Sequence, residues 1–541
     1  MTLSRCSIPA VAVLLAFTAP AAAQRPAAPP LPAPSAAAMD AHLRYLADDL
    51  LEGRGPGTRG GMLAAKYIAA QFQALGLAPA GPNGSFFQPV ALVGMSPRPA
   101  FSWGMPGAPQ ELAYGDDFVA WAERPDSLVQ IANSDVVFVG YGIQAREWQW
   151  DDYKGLDVRG KTLLMLVNDP GLQDSTVFDG AALTYYGRWT YKLEQGARLG
   201  AAAVILIHTT PSATYPWPVV RGSWSVEQFK LDRPGSPSLV LAGWVKEEAA
   251  RAALTTAGWN LDSLTRAAAR RDFRPVPTGL AADIVVRSAL RHVRSENVVG
   301  QLPGRDSVLG RQVVLITAHW DHKGIGPVVG GDSIYNGAED NASGVAAMLA
   351  AAEALRDIRP RHRRTLLFIA TTAEESGLLG SEAYTESPLV PLAQTAAVIN
   401  LDGANVRGTT RDIAALGIER SSLGTVFRRA AAAEGLTATG DPDPTKGSFF
   451  RSDHFPLARG GVPGLSIKPG VDYVGRPAGW GREQNDRYNG ERYHQPSDEY
   501  APDFNYDGMV QQVRVAMRVV LMVADSPQLP DWVPTAEFRR H

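Results

Sequence analysis

The segment LITAHWDHKG, Leu315–Gly324, places two histidines and an aspartate within four residues, directly after an apolar run. Further residues of the same types follow at separate points: Asp340 in GAEDNASG, Glu374 and Glu375 in AEES, Asp402 in LDG and His494 in RYHQPSD. Imidazole and carboxylate groups bind divalent metals and transfer protons. This chemistry requires a fold that brings the separate segments together.

The elements around these residues alternate between strand-like and helix-like patterns. From Gln312 onward the apolar runs VVLIT, TLLFIA, AAVIN and GLSI alternate with a helical segment at Val345–Leu355 and a closing helix with one apolar face. This alternation predicts an α/β fold with a mostly parallel sheet flanked by helices. In open sheets of this kind ligands bind at the carboxyl ends of the strands, where most of these polar residues stand.

The predicted cluster contains several carboxylates and two histidines, and neither AEES nor LDG contains a lysine or arginine. Unpaired carboxylates that crowd in a cleft are costly unless a cation neutralises them. A pair of divalent ions would do so. Imidazole and carboxylate ligands without thiolate suit zinc, with cobalt or manganese as substitutes.

Composition narrows the class of partner. The chain has 541 residues, a length sufficient for two or three domains. Of these residues 45% are hydrophobic and 20% are charged, an ordinary globular composition. A net charge of −3 gives no reason to expect nucleic acid or an anionic membrane as partner, so a small molecule or peptide is favoured. The one cysteine, Cys6, stands near the start, so cysteine nucleophiles and thiolate zinc sites are excluded for the mature protein.

The first residues have the pattern of a secretory signal. Arg5 precedes an apolar core at Ile8–Phe17 and a small-residue cleavage site, which predicts cleavage after Ala23 and a secreted or periplasmic protein. Residues 24–39 form a Pro/Ala-rich leader, and no run is apolar and long enough to predict a membrane span.

Taken in order, the motifs AHWDH, GAEDNASG, AEESGLLGS, NLDG and YHQPSD resemble the co-catalytic di-zinc exopeptidases. This family includes secreted bacterial aminopeptidases and the ectodomains of transferrin receptor and glutamate carboxypeptidase. The opening HLRYLADDLLEGRGPGTRGG is also similar to it. The segments YKGLDVRGKTLLMLVNDPG and KLEQGARLGAAAVILIH resemble a protease-associated domain, so the resemblance covers nearly the whole mature chain.

The patterns along the chain, together with the resemblance, predict a division into segments. A first peptidase part, residues 40–130, opens with two helices, the first capped by Asp40. A β-rich protease-associated domain is inserted at residues 131–280, the metal-binding part of the peptidase follows at residues 281–530, and residues 531–541 form a tail.

The resemblance also implies the metal ligands. His319 and Asp402 would hold one zinc ion, Glu375 and His494 the other, and Asp340 would bridge both, which gives two zinc ions per chain. It further implies a cis peptide bond between Asp340 and Asn341.

Three more residues receive catalytic roles from the resemblance. Glu374 would be the general base that takes a proton from a metal-bridged water and passes it to the leaving amine. Asp321 would accept a hydrogen bond from the far ring nitrogen of His319, and Tyr493 would be the oxyanion donor.

The implied function is that of a secreted zinc-dependent aminopeptidase that hydrolyses N-terminal residues from peptides. A carboxypeptidase or dipeptidase of the same family is an alternative, with Arg451 or Arg482 as candidates to bind a substrate carboxylate. A glutaminyl cyclase with one zinc is another. A non-catalytic receptor-like binding protein is disfavoured because all five ligands and Glu374 are present.

Three neighbouring residues have no firm role from the sequence. His322 is expected to pack under its loop, and for His454 packing and substrate contact are equally good interpretations. Lys323 stands where relatives often carry an apolar residue. Oligomeric state and side-chain preference are left open.

Overall fold

The strands that precede the candidate residues are runs of aliphatic residues buried on both faces, as in the parallel sheets of α/β proteins. The computed structural model describes residues 2, 31–233, 239–358, 360–534 and 536–540. Pro32–His541 form one unit. The predicted signal peptide and most of the leader lie outside the described residues.

The strands of the described residues, in chain order, are β1 Ala78–Pro79, β2 Phe87–Met105, β3 Ala108–Glu111, β4 Phe118–Ala122, β5 Leu128–Phe138, β6 Gln144–Ala145, β7 Trp150–Asp151, β8 Thr162–Leu166, β9 Ala203–His208, β10 Gln228–Leu231, β11 Leu241–Lys246, β12 Val276–Leu302, β13 Val313–His319, β14 Gly324–Val329, β15 Asp332–Tyr335, β16 Thr365–Thr371, β17 Thr395–Asn400, β18 Asp412–Leu416, β19 Thr437–Thr439 and β20 Gly464–Pro469.

The α-helices of the same residues are α1 Ala36–Leu46, α2 Arg59–Ala74, α3 Trp189–Arg198, α4 Thr210–Ala213, α5 Trp217–Trp224, α6 Glu247–Thr256, α7 Leu261–Ala268, α8 Ser343–Arg356, α9 Leu379–Glu386, α10 Leu423–Ala433, α11 His454–Arg459, α12 Trp480–Glu491 and α13 Asp507–Asp525.

One large sheet runs through the molecule. Strands β20, β17, β13 and β16 pair in parallel in that order, and β12 pairs antiparallel with β16. The predicted α/β fold with a mostly parallel sheet is therefore confirmed. The strands predicted at VVLIT, TLLFIA, AAVIN and GLSI correspond to β13, β16, β17 and β20, and the two predicted helices to α8 and α13.

The predicted inserted segment contributes a second parallel group to the same sheet. Strands β5, β8, β9 and β11 pair in parallel, and the long strand β12 joins the two groups because it pairs with β5 at one end and with β16 at the other. The boundaries at 130/131 and 280/281, and the identity of the segment as a protease-associated domain, stay predictions.

The prediction that Asp40 caps the first helix is wrong. Helix α1 begins at Ala36, and Ser35 caps it by accepting a hydrogen bond from the amide of Ala38 at 3.1 Å. Three alanines and Met39 are good helix formers, so the helix extends to the first serine that can serve as a cap. Asp40 instead bonds to the hydroxyls of Tyr500 and Tyr506.

Among the described residues, no helix combines the length and apolarity that crossing a bilayer requires.

Candidate active site

The carboxyl ends of three neighbouring strands carry the candidate side chains. His319 is the last residue of β13 and pairs with Thr371, the last residue of β16. Asp402 follows β17 by two residues, and Glu374 and Glu375 follow β16 by three and four. Because these strands are parallel and in adjacent positions, their following loops meet at one edge of the sheet.

Asp340 lies at the centre of the cluster, in the kinked turn Ala338–Ala342 that leads into α8. Its Oδ1 lies 3.2 Å from His319 Nε2, and its Oδ2 lies 3.3 Å from His494 Nε2. The two oxygens of one carboxylate therefore face two different histidines. The Asp340–Asn341 peptide bond is cis, as the resemblance implies.

Each histidine has a second carboxylate beside it. His319 Nε2 lies 3.6 Å from Asp402 Oδ1, and His494 Nε2 lies 3.1 Å from Glu375 Oε2. The structure thus brings together all five predicted ligands as two half-sites that share Asp340.

The donor set fits divalent metal ions. His319, Asp340 and Asp402 each offer a ligand atom, and these atoms lie within 4.8 Å of one another; His322, Asp340 and Glu375 form a second such group. His494 Nε2 is buried and makes no hydrogen bond within the described part of the chain, although carboxylate oxygens surround it. Nitrogen and oxygen atoms that converge in this way suit a cation between them.

The electrostatics of the cluster also favour a cation. Burial alone would lower the pKa of His319, but Glu374, Asp340 and Asp402 raise it well above its usual range. Burial likewise opposes protonation of His494, and Glu375 and Asp340 raise the pKa of its ring. Both imidazoles therefore bind protons more tightly than a free histidine does, and a bound metal ion would compete with those protons.

Glu374 differs from the ligand carboxylates. Burial raises the pKa of Glu374 well above its usual range, and the negative charges of Glu375, Asp402 and Asp453 add to this rise while His319 opposes it. The pKa of Asp402 is lowered instead, because Lys468, His319 and Ser452 outweigh the effect of burial. Unlike the predicted ligands Asp340, Glu375 and Asp402, whose pKa values are lowered, Glu374 therefore accepts a proton more readily than a free glutamate.

Asp321 departs from its predicted contact. Its Oδ1 lies 3.9 Å from His319 Nδ1, while its backbone oxygen lies only 3.1 Å from that nitrogen. The carboxylate oxygen Oδ1 accepts a hydrogen bond of 3.1 Å from the amide of Glu374. The predicted carboxylate–imidazole bond is thus replaced, because the carboxylate is engaged by the backbone of the loop that carries Glu374.

Tyr493 lies at the mouth of the site. Its ring stacks on His494 with 3.8 Å between ring centroids, and the residue is 45% exposed. Desolvation of the hydroxyl and the nearby charges of Asp340, Glu375 and Glu374 raise the pKa of Tyr493 well above its usual range, and Arg451 opposes this rise. The hydroxyl therefore keeps its proton and can donate a hydrogen bond.

The cluster is also contacted by two lysines and a serine. None of the three was predicted to contact the ligands. Lys323 Nζ lies 3.0 Å from Glu375 Oε2, and Lys468 Nζ lies 3.4 Å from Asp402 Oδ2. Ser452 donates to Asp402 Oδ2 at 2.6 Å. The sequence contains no signal for Lys468, since β20 brings it to the site from a position 66 residues away from Asp402.

Arg54, in the EGRGPG segment, forms hydrogen bonds with the loops of the site. The side chain is buried and donates to four backbone carbonyls, those of Leu46, Trp320, Asn336 and Gly337. Two of these carbonyls belong to the segments that carry His319 and Asp340. In the sequence, the segment HLRYLADDLLEGRGPGTRGG resembles the family, and this resemblance does not indicate a buried cation at Arg54.

Asp498, the last residue of the YHQPSD motif, holds the Asp340 turn. The amides of Glu339 and Asp340 donate to its Oδ1 and Oδ2, each at 3.1 Å. Its place in the same motif as His494 is the signal from which it could have been found.

The two histidines without firm roles are both buried. His322 packs under its loop as expected, but its Nδ1 also lies 2.6 Å from Glu375 Oε1. His454 packs edge-on against Phe449 with 4.7 Å between ring centroids. Burial lowers the pKa of His454 to about 3, so its ring is neutral.

Comparison with known proteins assigns a family to the segment that carries the site. Residues 297–520 match peptidase family M28. Among solved structures, the chain is similar to an aminopeptidase from Aneurinibacillus sp. (18% identity, TM-score 0.48, 94% of this chain and 98% of that one). It is also similar to a zinc aminopeptidase from Bacillus subtilis (19% identity, TM-score 0.44) and to a peptidase M28 precursor from Shewanella amazonensis (19% identity, TM-score 0.43). Each of these two matches covers 92% of this chain and 98% of the other. The segment that carries the candidate site, residues 297–520, therefore matches peptidase family M28, and this match supports a metallo-exopeptidase, a hydrolase.

Proposed function

We propose that the protein is a secreted aminopeptidase that uses two zinc ions to remove N-terminal residues from peptides. The observation that carries the proposal is the position of Asp340, whose two oxygens face His319 and His494 on opposite sides. A shared carboxylate between two ligand pairs supports a two-ion site over the single-zinc alternative of a glutaminyl cyclase. His319 and Asp402 would hold one ion, and Glu375 and His494 the other.

Zinc ions bound in such a site supply Lewis acidity, which lowers the pKa of water and polarises the scissile carbonyl. Glu374 takes a proton from the attacking water and delivers it to the leaving amine, a role that its raised pKa supports. The backbone amide of Glu374, bonded to Asp321, fixes the position of this base. The Tyr493 hydroxyl donates a hydrogen bond to the oxyanion that develops on the carbonyl oxygen.

The proposal is tested with a panel of aminoacyl fluorogenic substrates and with peptides that carry free or acetylated N-termini. Hydrolysis is expected only from free N-termini, with loss of turnover on chelation and recovery on addition of zinc. The variant Glu374→Gln is expected to lose about 10²- to 10⁴-fold in kcat while it still binds zinc. A matched control is Glu382→Gln, which changes a partly exposed glutamate of α9 away from the cluster.

Two results would reject the proposal. Release of C-terminal residues from an acetylated peptide would favour the carboxypeptidase alternative. Unchanged turnover of Glu374→Gln would remove Glu374 as the base.

A further inference from the structure

Beside the metal cluster lies a pair of arginines that have no acidic partner. Arg188 is 8% exposed and precedes α3 in the predicted inserted segment; Arg451 directly precedes Ser452, which bonds to Asp402. Among the described residues neither arginine forms an ion pair, and the residues outside those ranges include no aspartate or glutamate. The Nε atoms of both are buried without a hydrogen-bond partner.

The segments that carry the two arginines pack together, since the ring of Tyr185, three residues before Arg188, lies 6.0 Å from the ring of Phe450, the residue before Arg451. The guanidinium carbon of Arg451 lies 6.0 Å from the centre of the Tyr215 ring, and its Nη2 lies 3.4 Å from the hydroxyl of Thr214. Burial raises the pKa of the Tyr215 hydroxyl, and the positive charges of Arg188 and Arg451 oppose this rise. Tyr215 is therefore close to both arginines.

A buried positive charge beside a second, partly buried one is unfavourable. Burial, reinforced by the charge of Arg451, lowers the pKa of Arg188 to about 9. A buried charge normally has a partner of opposite sign, and removal of such a partner costs several kcal/mol. An arrangement of this kind indicates an anion that is supplied from outside the chain.

The geometry favours a carboxylate as this anion. The planar guanidinium group binds carboxylates through two parallel hydrogen bonds, and a tyrosine hydroxyl adds a neutral donor. The pocket also adjoins the metal cluster, because Arg451 directly precedes Ser452, whose hydroxyl donates to Asp402 Oδ2 at 2.6 Å. A peptide bound at the cluster would therefore reach it.

We infer that Arg188, Arg451 and Tyr215 form a pocket that binds a carboxylate of the peptide substrate, so that the enzyme prefers short or acidic peptides. The inference rests on the proposed peptidase function and adds its substrate class. The carboxylate comes either from the C-terminus of a short peptide or from an acidic side chain next to the scissile bond.

Three substrate pairs distinguish these sources, each with one member that lacks the carboxylate. They are Leu-Gly against Leu-Gly-amide, Leu-Glu-amide against Leu-Gln-amide, and a glutamyl anilide against a glutaminyl anilide. In at least one pair the carboxylate is expected to raise kcat/KM about 10- to 100-fold, the range for hydrogen bonds to charged groups. The responding pair identifies the source.

Variants connect this preference to the pocket. Arg188→Gln and Arg451→Gln are each expected to reduce the ratio within the responding pair to near one. Arg188→Lys keeps the positive charge but loses the two parallel N–H donors of the guanidinium group, so it is expected to retain part of the carboxylate preference. This variant also serves as a control for a folding defect in Arg188→Gln. The control is Arg159→Gln, an arginine with a 78% exposed side chain in the same predicted insert, which should keep the wild-type ratio.

Equal kcat/KM within all three pairs would overturn the inference, as would a carboxylate preference that both glutamine variants retain. If no peptide with a free N-terminus is hydrolysed, the proposed function fails, and the pocket is then tested by calorimetric titration of Leu-Gly and Leu-Gly-amide. Tighter binding of Leu-Gly that Arg188→Gln abolishes would support the pocket on its own. Equal affinities would overturn it.

Discussion

Replacement of Arg54 by methionine tests whether this buried cation holds the metal loops in place. The variant Arg54→Met keeps much of the apolar volume but leaves four backbone carbonyls, including those of Trp320 and Gly337, without their donor. A buried carbonyl without a partner costs about 1 to 3 kcal/mol, so the loss lies between about 4 and 12 kcal/mol.

Relief of the buried charge offsets part of this loss. Burial outweighs the attraction of nearby carboxylates such as Asp321 and lowers the pKa of Arg54 from 12.5 to about 10, a net electrostatic cost of about 3 kcal/mol that methionine avoids. Water that enters the vacated space lowers the cost further. The expected net loss is about 3 to 5 kcal/mol, the usual result when one partner of a buried charged network is removed.

Urea unfolding of the metal-free protein at pH 7 measures this loss, and a competition titration against a chromogenic chelator measures zinc affinity. Zinc affinity should fall about 10- to 100-fold, because Arg54 orients the segments that present His319 and Asp340. The matched control is Arg59→Met, which changes an arginine with a 74% exposed side chain five residues away and should alter stability by less than about 0.5 kcal/mol. An Arg54→Met protein with wild-type stability and zinc affinity would refute the reasoning.

Three further changes act on single contacts of the site. Ser452→Ala removes the hydroxyl donor to Asp402 and should weaken zinc binding about 10- to 100-fold in the same competition titration; unaltered affinity would contradict that role. Asp321→Asn removes the charge beside the Glu374 amide and should lower kcat or zinc affinity about 10- to 100-fold, as steady-state kinetics would reveal. His454 has a pKa of about 3 when folded and about 6.5 when unfolded, so the unfolded chain binds a proton that the folded chain does not, and stability falls as the pH drops below 6.5. His454→Gln should reduce the slope of unfolding free energy against pH by up to about 1.4 kcal/mol per pH unit between pH 6.5 and 5. Urea unfolding at several pH values measures this slope, and a slope equal to that of the wild type would contradict the prediction.

The elements of the site follow from local pattern. Strands β13, β16 and β17 are short aliphatic runs, and the polar residues directly after them include His319, Glu374 and Asp402. A buried apolar strand ends where charged residues begin. The same short stretch of sequence therefore predicts both the end of the strand and the position of the candidate residue. The resemblance of the ordered motifs then assigned roles to these residues, including the bridging position of Asp340.

The contacts between elements did not follow from those patterns. Lys468 reaches Asp402 because β20 pairs with β17, and the partner of the Asp321 carboxylate is a backbone amide that no side-chain pattern reveals. The start of α1 at Ala36 also depended on which residue could cap the helix.

The sequence by itself determined the types of the reacting groups, the strands that end at them and the lack of cysteine after residue 6, because these depend on residue identity and on periodicity along the chain. Only the tertiary structure decided that Asp340 faces both histidines and that Arg188 lies beside Arg451 across 263 residues of sequence. Distances of this kind depend on how strands pair and how loops pack, and residues far apart in the chain share no local pattern that could encode them.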